Sequence, residues 1–458
     1  MTNYKSINPA TEEIVFEKDF ISESQLESSL QDAFNYSVIV ARSNYEQRAS
    51  KLTAVAKLLT EKKKTLAELM TLEMGKPIKQ SLAEIDKCVS VIDYYKKNSA
   101  RFLAKKPVVD ANTGKQLAYV TYQPVGVILA IMPWNFPCWQ IFRFLAPAVM
   151  AGNVILIKHA ECVPGFSSAM QELFDEAGWE KGYFQNIYAS HPQVETIIND
   201  PRLGGVTFTG STAAGKKVGG AALNAGKKFV LELGGSDPYI VLEDAEIDLA
   251  VDTILKSRTL NSGQSCIAAK RVVVNENIYS QFCDVLKQKA ADYTLGVPAA
   301  EETKLGPLAR EDIREKLQKL KDESVGQGAK ILYEEKVSFN HGWYFPLTIL
   351  TEVSDSMPAF QQETFGPLLT VTVAKDDLEA IELAGKTSYG LGAAVFSRDI
   401  NKCKQIAEKF LAFGNIAIND HVVSNPLIPF GGLKDSGVGK ELGQDGIYEF
   451  VHKKSVLI

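Results

Sequence analysis

The chain has 458 residues, 45% hydrophobic and 23% charged, with a formal net charge of −5. That length exceeds one compact core and predicts two or three domains. The small charge gives no electrostatic basis for binding nucleic acid or an anionic membrane, and the longest apolar run, residues 125–132, is far short of the ~20 residues that span a bilayer.

The opening "MTNYKSINPATEE" has neither an apolar core nor a cleavage-site pattern, so a cytoplasmic protein is expected. Residues 24–105 place apolar side chains three and four apart with charges between, which predicts helices; Gly75 and Pro77 stop the second pattern. Residues 117–124, "LAYVTYQP", alternate as an edge strand or hairpin arm does. From Val125 the texture changes. "VGVILAIMP", "VILIK", "YFQNIYA" and "GGVTFTG" are short apolar runs separated by helix-compatible stretches such as "PGFSSAMQELFDEAG". Apolar strands alternating with amphipathic helices predict a parallel sheet covered on both faces. The alternation resumes after Asp237 with "PYIVL", "RVVVN", "LLTVTVA", "AAVFS" and "NIAIN". Two α/β domains meeting near residues 233–237 are expected.

"VTFTGSTAAGKKVGG" resembles a nucleotide-triphosphate loop, but Lys217 stands where a Ser or Thr hydroxyl should hold magnesium. A strand running into a helix N-terminus is still an anion-binding arrangement, to which Gly210 offers close approach and Ser211 a hydroxyl. The six cysteines are scattered, with no CxxC pair and no nearby histidine, so neither a disulfide framework nor a metal site is expected. One of them, Cys266, follows the polar turn "NSGQS", a setting for a nucleophile as well as for a structural thiol. Glu232 ends an apolar strand before a double glycine and suits a general base or a solvated strand end. Asn135 lies between Trp134 and Phe136, an amide that needs a partner or a ligand. Glu363 precedes a Phe-Gly-Pro turn.

The order "PWNFP", "ILIKHAE", "FTGSTAAG", "LELGG", "NSGQSC", "ETFGP", "PFGG" resembles the aldehyde dehydrogenase superfamily over nearly the whole chain, and most of all its shorter bacterial succinate-semialdehyde dehydrogenases. The resemblance implies a doubly wound, Rossmann-like cofactor domain, a second α/β catalytic domain and a small β oligomerisation arm. It implies Cys266 as the nucleophile, Asn135 as an oxyanion donor and Glu232 as the base that hydrolyses the thioester. Gly210, Ser211 and Gly215 match the cofactor-phosphate segment, Lys158 and Glu161 the adenosine-ribose pair, Glu363 the nicotinamide-ribose carboxylate, and Trp134 the lining of the cofactor path. His159 replaces a common proline, and Lys270 rather than a cysteine stands four residues after the nucleophile, so no redox switch is expected.

The same resemblance implies a cofactor domain over residues 1–116 and 126–233, a catalytic domain over 234–422, a return to the cofactor domain over 423–439, and an arm from 117–125 and 440–458. The arm implies a homodimer or homotetramer. Glu161 puts a carboxylate where a 2′-phosphate would sit, so NAD is expected to be preferred, with NADP possible. Arg143, in the aromatic stretch "NFPCWQIFR", needs an anionic partner: a protein carboxylate, or the distal carboxylate of a semialdehyde acid. Ser424 is its expected helper, and Leu260 occupies the position where some relatives carry a second arginine. The alternatives are another short aliphatic aldehyde and a coenzyme-A-acylating reaction, which needs no water-activating base.

Overall fold

A hairpin of Asn3–Ile7 with Ile14–Asp19 begins the computed structural model, which describes residues 3–458. Four helices follow: Glu23–Val40, Tyr45–Glu61, Lys63–Met74 and Ile78–Phe102. Ser22 and Asn44 start the first two through capping boxes with Gln25 and Gln47, which satisfies amide donors that a helix start leaves free. The last of the four buries Ile85, Cys88, Val91, Ile92 and Tyr95 along one face, as its apolar spacing requires.

The strands expected from Val125 onward form two separate sheets. In the first, the spatial order is Gly437–Val438, Lys228–Glu232, Leu203–Thr209, Val127–Met132, Val154–His159, Phe184–Asn186. All neighbours are parallel except the first pair. Every residue of Val154–His159 is buried, which explains why its sequence does not alternate. The second sheet runs Lys330–Glu334, Thr348–Thr351, Leu368–Ala374, Ala269–Asn275, Asp237–Val241, Gly392–Phe396, Asn415–Ile418, antiparallel only at its first pair. The fold is thus α/β, with two largely parallel sheets. Among the described residues, no helix is long and apolar enough to cross a membrane.

A third, antiparallel sheet carries Val451–Leu457, Gln116–Pro124 and Lys106–Val109. It differs from the sequence expectation at both ends. Lys106–Val109 adds a strand from the region assigned to the cofactor domain. Gly443–Glu449 is helical, with Gly446 and Ile447 buried, so the segment 440–458 becomes a strand only from Val451.

Candidate active site

Cys266 sits in the loop between the helix Ile247–Thr259 and the strand Ala269–Asn275. The turn before it is held in an uncommon shape. Asn261 and Ser262 have φ of 54° and 52°, a region that non-glycine residues adopt only when their surroundings enforce it. The enforcing contacts are visible. Asn261 Nδ2 donates to the Asn135 carbonyl at 2.6 Å, and its backbone N–H donates to Gln80 Oε1 at 2.6 Å. The Ser262 hydroxyl exchanges hydrogen bonds with the backbone of Gly306. Gln264 accepts from the Ala309 amide.

Asn135 is buried, and one hydrogen of its side-chain amide goes to the Gln264 carbonyl at 3.1 Å. The second hydrogen has no hydrogen-bond acceptor among the described residues. The Cys266 side chain is partly accessible, yet its surroundings push the thiol up to about 12; burial dominates, and Lys270 and Arg143 pull the other way. In this state the thiol is protonated at neutral pH.

Glu232 ends its strand 3% exposed, and its Oε1 has no hydrogen-bond partner. Burial raises its carboxyl well above the ordinary range, with Arg143 opposing and Glu441 adding to the rise. An isolated carboxyl of this kind takes a proton readily, as a general base must. Gly235, three residues later, touches the nucleophile loop: a Cβ there would lie 2.8 Å from the Cys266 carbonyl oxygen. The turn after the Glu232 strand thus packs on the nucleophile loop, and the Arg143 charge bears on both the Glu232 carboxyl and the Cys266 thiol.

Behind the nucleophile lies Lys270, fully buried. Its ammonium donates to the carbonyls of Cys266 at 2.5 Å and Ser265 at 3.0 Å, and stands 3.3 Å from Glu363 Oε1. Glu363 also accepts the Gly235 amide at 3.1 Å. Glu363 is thus turned toward the nucleophile loop. The sequence had given Lys270 only the meaning of a missing cysteine.

The residues expected to hold the cofactor lie where the strands Val127–Met132, Val154–His159 and Leu203–Thr209 end together, the crevice in which open parallel sheets bind ligands. Trp134 follows the first strand and meets Phe365 edge to face. Lys158, buried at the end of the second, pairs with Glu161 at 3.2 Å and lies over the Tyr4 ring. His191 stands 3.8 Å from the same carboxylate. Neighbouring His159 is neutral, pushed down to about 4 by burial, and ties the strand end to the Pro137 carbonyl at 3.0 Å. Gly210 and Ser211 follow the third strand, and Ser211 caps the helix Thr212–Asn224 by accepting from the Ala214 amide. Gly215 lies one turn inside that helix, where a Cβ would come within 2.2 Å of Leu233 Cδ2. Its missing side chain lets the helix close onto the strand end, and this close packing accounts for the residue.

Arg143, 2% exposed, forms an ion pair with buried Glu441 and stacks on Phe430 with 5.0 Å to the ring centroid. Of the two partners expected for it, the protein carboxylate is present. Ser424 is buried in the loop before Phe430 and accepts from Lys87 Nζ at 2.7 Å. Sequence reasoning singled out neither Lys87 nor Glu441.

The sequence model of the aldehyde dehydrogenase family matches residues 1–456. The chain is 41% identical to NADP(+) succinate-semialdehyde dehydrogenase 1 of Mycobacterium tuberculosis, with 99% of each chain covered. It is 39% identical to the NAD(P)+ succinate semialdehyde dehydrogenase Sad of Escherichia coli over 99% of this chain and 98% of that one. The solved structure of succinic semialdehyde dehydrogenase from Streptococcus pyogenes, in complex with NADP+, superimposes with a TM-score of 0.95 at 34% identity, 99% of each chain being covered. These matches, over the whole length, show that the chain belongs to the aldehyde dehydrogenase family.

Proposed function

We propose that this enzyme oxidises succinate semialdehyde to succinate with a nicotinamide dinucleotide, preferring NAD to NADP. The carrying observation is the buried, unpartnered Glu232 carboxyl at the end of a strand whose following turn packs on the Cys266 loop. The relatives' substrate supports the choice of aldehyde.

The strand-end crevice fits the cofactor. Lys158 and Glu161 suit the adenosine ribose hydroxyls, and Gly210 with Ser211 offers the helix N-terminus to the phosphates. Trp134 lines the path, and Glu363 reaches the nicotinamide ribose once it leaves Lys270. Bound there, the cofactor supplies the hydride acceptor.

The residues of the chain do the rest. Cys266 gives its proton to solvent water and its sulfur attacks the aldehyde carbon, giving a thiohemiacetal. Asn135 Nδ2 donates to the oxyanion, a contact of a kind worth ~3 kcal/mol at the transition state. Loss of the aldehyde hydrogen as hydride leaves a thioester on Cys266. Glu232 takes a proton from water as it attacks that thioester, and the acid departs with the thiol restored. Arg143 and Ser424 face the far end of the substrate, where its second carboxylate lies.

The NAD preference rests on Glu161, whose carboxylate repels a 2′-phosphate. The relatives' names carry NADP(+) or NAD(P)+, so this residue sets the chain's own expectation. The three-stranded sheet leaves the outer edge of Val451–Leu457 unpaired, and we assign that edge to contact between copies in a homodimer or homotetramer.

Steady-state kcat/KM for succinate semialdehyde and butanal, each with both cofactors, tests the reading. A strong preference for succinate semialdehyde with NAD is expected, with succinate as product whether or not coenzyme A is added. Acyl-coenzyme A as the main product assigns the chain to the acylating class.

A further inference from the structure

The helix Ile78–Phe102 carries Lys87 on a half-buried face. The Lys87 ammonium stands 4.1 Å from the Trp139 ring centroid and donates to the Ser424 hydroxyl at 2.7 Å. Trp139 and Arg143 are four residues apart on the helix Trp139–Met150, so they share a face one turn apart. Arg143 in turn stacks on Phe430, six residues beyond Ser424. Lys87, Trp139, Ser424 and Arg143 therefore form one cluster, whose guanidinium also bears on Glu232 and Cys266.

The charges there do not balance. Arg143 is neutralised by Glu441. The two acidic residues just before Lys87 in its own helix are committed elsewhere: Asp86 pairs with Lys63, and Glu84 pairs through Oε2 with buried Lys76 while its Oε1 accepts the amides of Cys138 and Trp139 at 2.9 Å each. Among the described residues no carboxylate lies within ion-pair distance of Lys87. Burial and the neighbouring guanidinium accordingly push its ammonium down to about 8. The indole Nε1 of Trp139 is also buried without an acceptor. A desolvated cation beside unused donors is what a bound carboxylate satisfies.

We propose that Lys87, with the Ser424 hydroxyl, receives the distal carboxylate of the semialdehyde and supplies the net positive charge that selects carboxylated over uncharged aldehydes. The inference rests on the carboxylated-aldehyde reading above and adds a specificity-determining residue to it. Arg143 contributes geometry and a partly offset charge. Lys87 contributes the unbalanced one, from the helix packed against that of Arg143.

The test compares kcat/KM for succinate semialdehyde and butanal in the full-length protein and in Lys87→Met, Lys87→Gln and Lys87→Arg. The selectivity ratio falls by roughly 30-fold or more in Lys87→Met and Lys87→Gln, mainly through KM, the scale of a lost desolvated charge contact. Lys87→Arg keeps it within about threefold, since the charge is retained. If Lys87→Met fails to fold, Lys87→Gln, which keeps a donor to Ser424, carries the same comparison. An unchanged ratio, or equal losses on both aldehydes, overturns the proposal and leaves Lys87 as a tether for the loop holding Ser424. A wild-type enzyme with no preference between the two aldehydes overturns instead the reading on which it rests.

Discussion

Lys270 and Glu363 lie 3.3 Å apart behind the nucleophile, and the same ammonium holds the Cys266 carbonyl at 2.5 Å. One buried cation therefore fixes the backbone of the nucleophile, opposes the high pKa of its thiol and restrains a carboxylate assigned to the cofactor. Lys270→Met leaves Glu363 unpaired beside the thiol. Both charge effects then oppose ionisation, so alkylation of Cys266 by iodoacetamide slows by on the order of tenfold at pH 8. An unchanged alkylation rate removes Lys270 from the control of the nucleophile.

Cys266→Ala abolishes aldehyde oxidation while cofactor binding, followed by fluorescence quenching, survives. Glu232→Gln still forms the thioester but stalls at its hydrolysis. The expected record is a single burst of reduced cofactor, about one per active site, without steady turnover. Normal turnover by Cys266→Ala would falsify the assignment of the nucleophile.

The raised Glu232 carboxyl and the thiol at about 12 give the resting enzyme a definite pH response. Both groups act in their deprotonated forms, and both are protonated more readily than usual. Alkylation of the cofactor-free enzyme thus climbs about tenfold per pH unit through neutral pH and above, with no plateau near 7. Thioester hydrolysis also quickens as pH rises, and this dependence disappears in Glu232→Gln. A flat alkylation rate between pH 7 and 9 contradicts the protonated resting thiol.

Replacing Glu161 by serine removes the charge facing the ribose 2′ position and frees Lys158 and His191 from their common partner. The NADP-to-NAD ratio of kcat/KM rises by on the order of tenfold or more, since each such charge contact is worth ~1–3 kcal/mol. A ratio that does not move shows that cofactor choice is made elsewhere.

Arg143→Ala strands the buried Glu441 carboxylate. Breaking a buried ion pair costs ~3–5 kcal/mol, visible as a lower urea midpoint, and Arg143→Leu with Glu441→Leu regains much of it. Activity toward succinate semialdehyde falls more than activity toward butanal if the guanidinium also meets substrate. Equal losses assign Arg143 to the ion pair alone.

The parts of the site legible in the sequence are those where a short stretch sets its own geometry. Strand ends and turns such as "TFTGST", "LELGG" and "NSGQSC" carry Ser211, Glu232 and Cys266 within a few residues of the feature that positions them. The apolar runs after Val125 appear as strands because burial on both faces leaves no polar residue to break them. Lys87 and Glu441 were not legible. Lys87 meets Ser424 across a separation of 337 residues, and in the sequence it is one lysine among several on an amphipathic helix. Periodicity identifies that helix but not which charge faces inward without a partner. Glu441 lies in a glycine-spaced loop whose buried position depends on Arg143, contributed by another helix.

The pairing of Gly437 with Glu232 has a consequence for the order of assembly. The strand bearing the base is bordered on one side by Leu203–Thr209, made earlier, and on the other by Gly437–Val438, made about two hundred residues later. Gly431, beside the base carboxylate, and Glu441, beside Arg143, come from the same late segment. On the ribosome the first sheet can pair five of its strands while its outer border stays open. The nucleophile is synthesised long before the base acquires its dry surroundings. A growing chain thus carries its reactive thiol in an unfinished pocket, and the pocket closes only when the last few dozen residues return to the sheet where synthesis began.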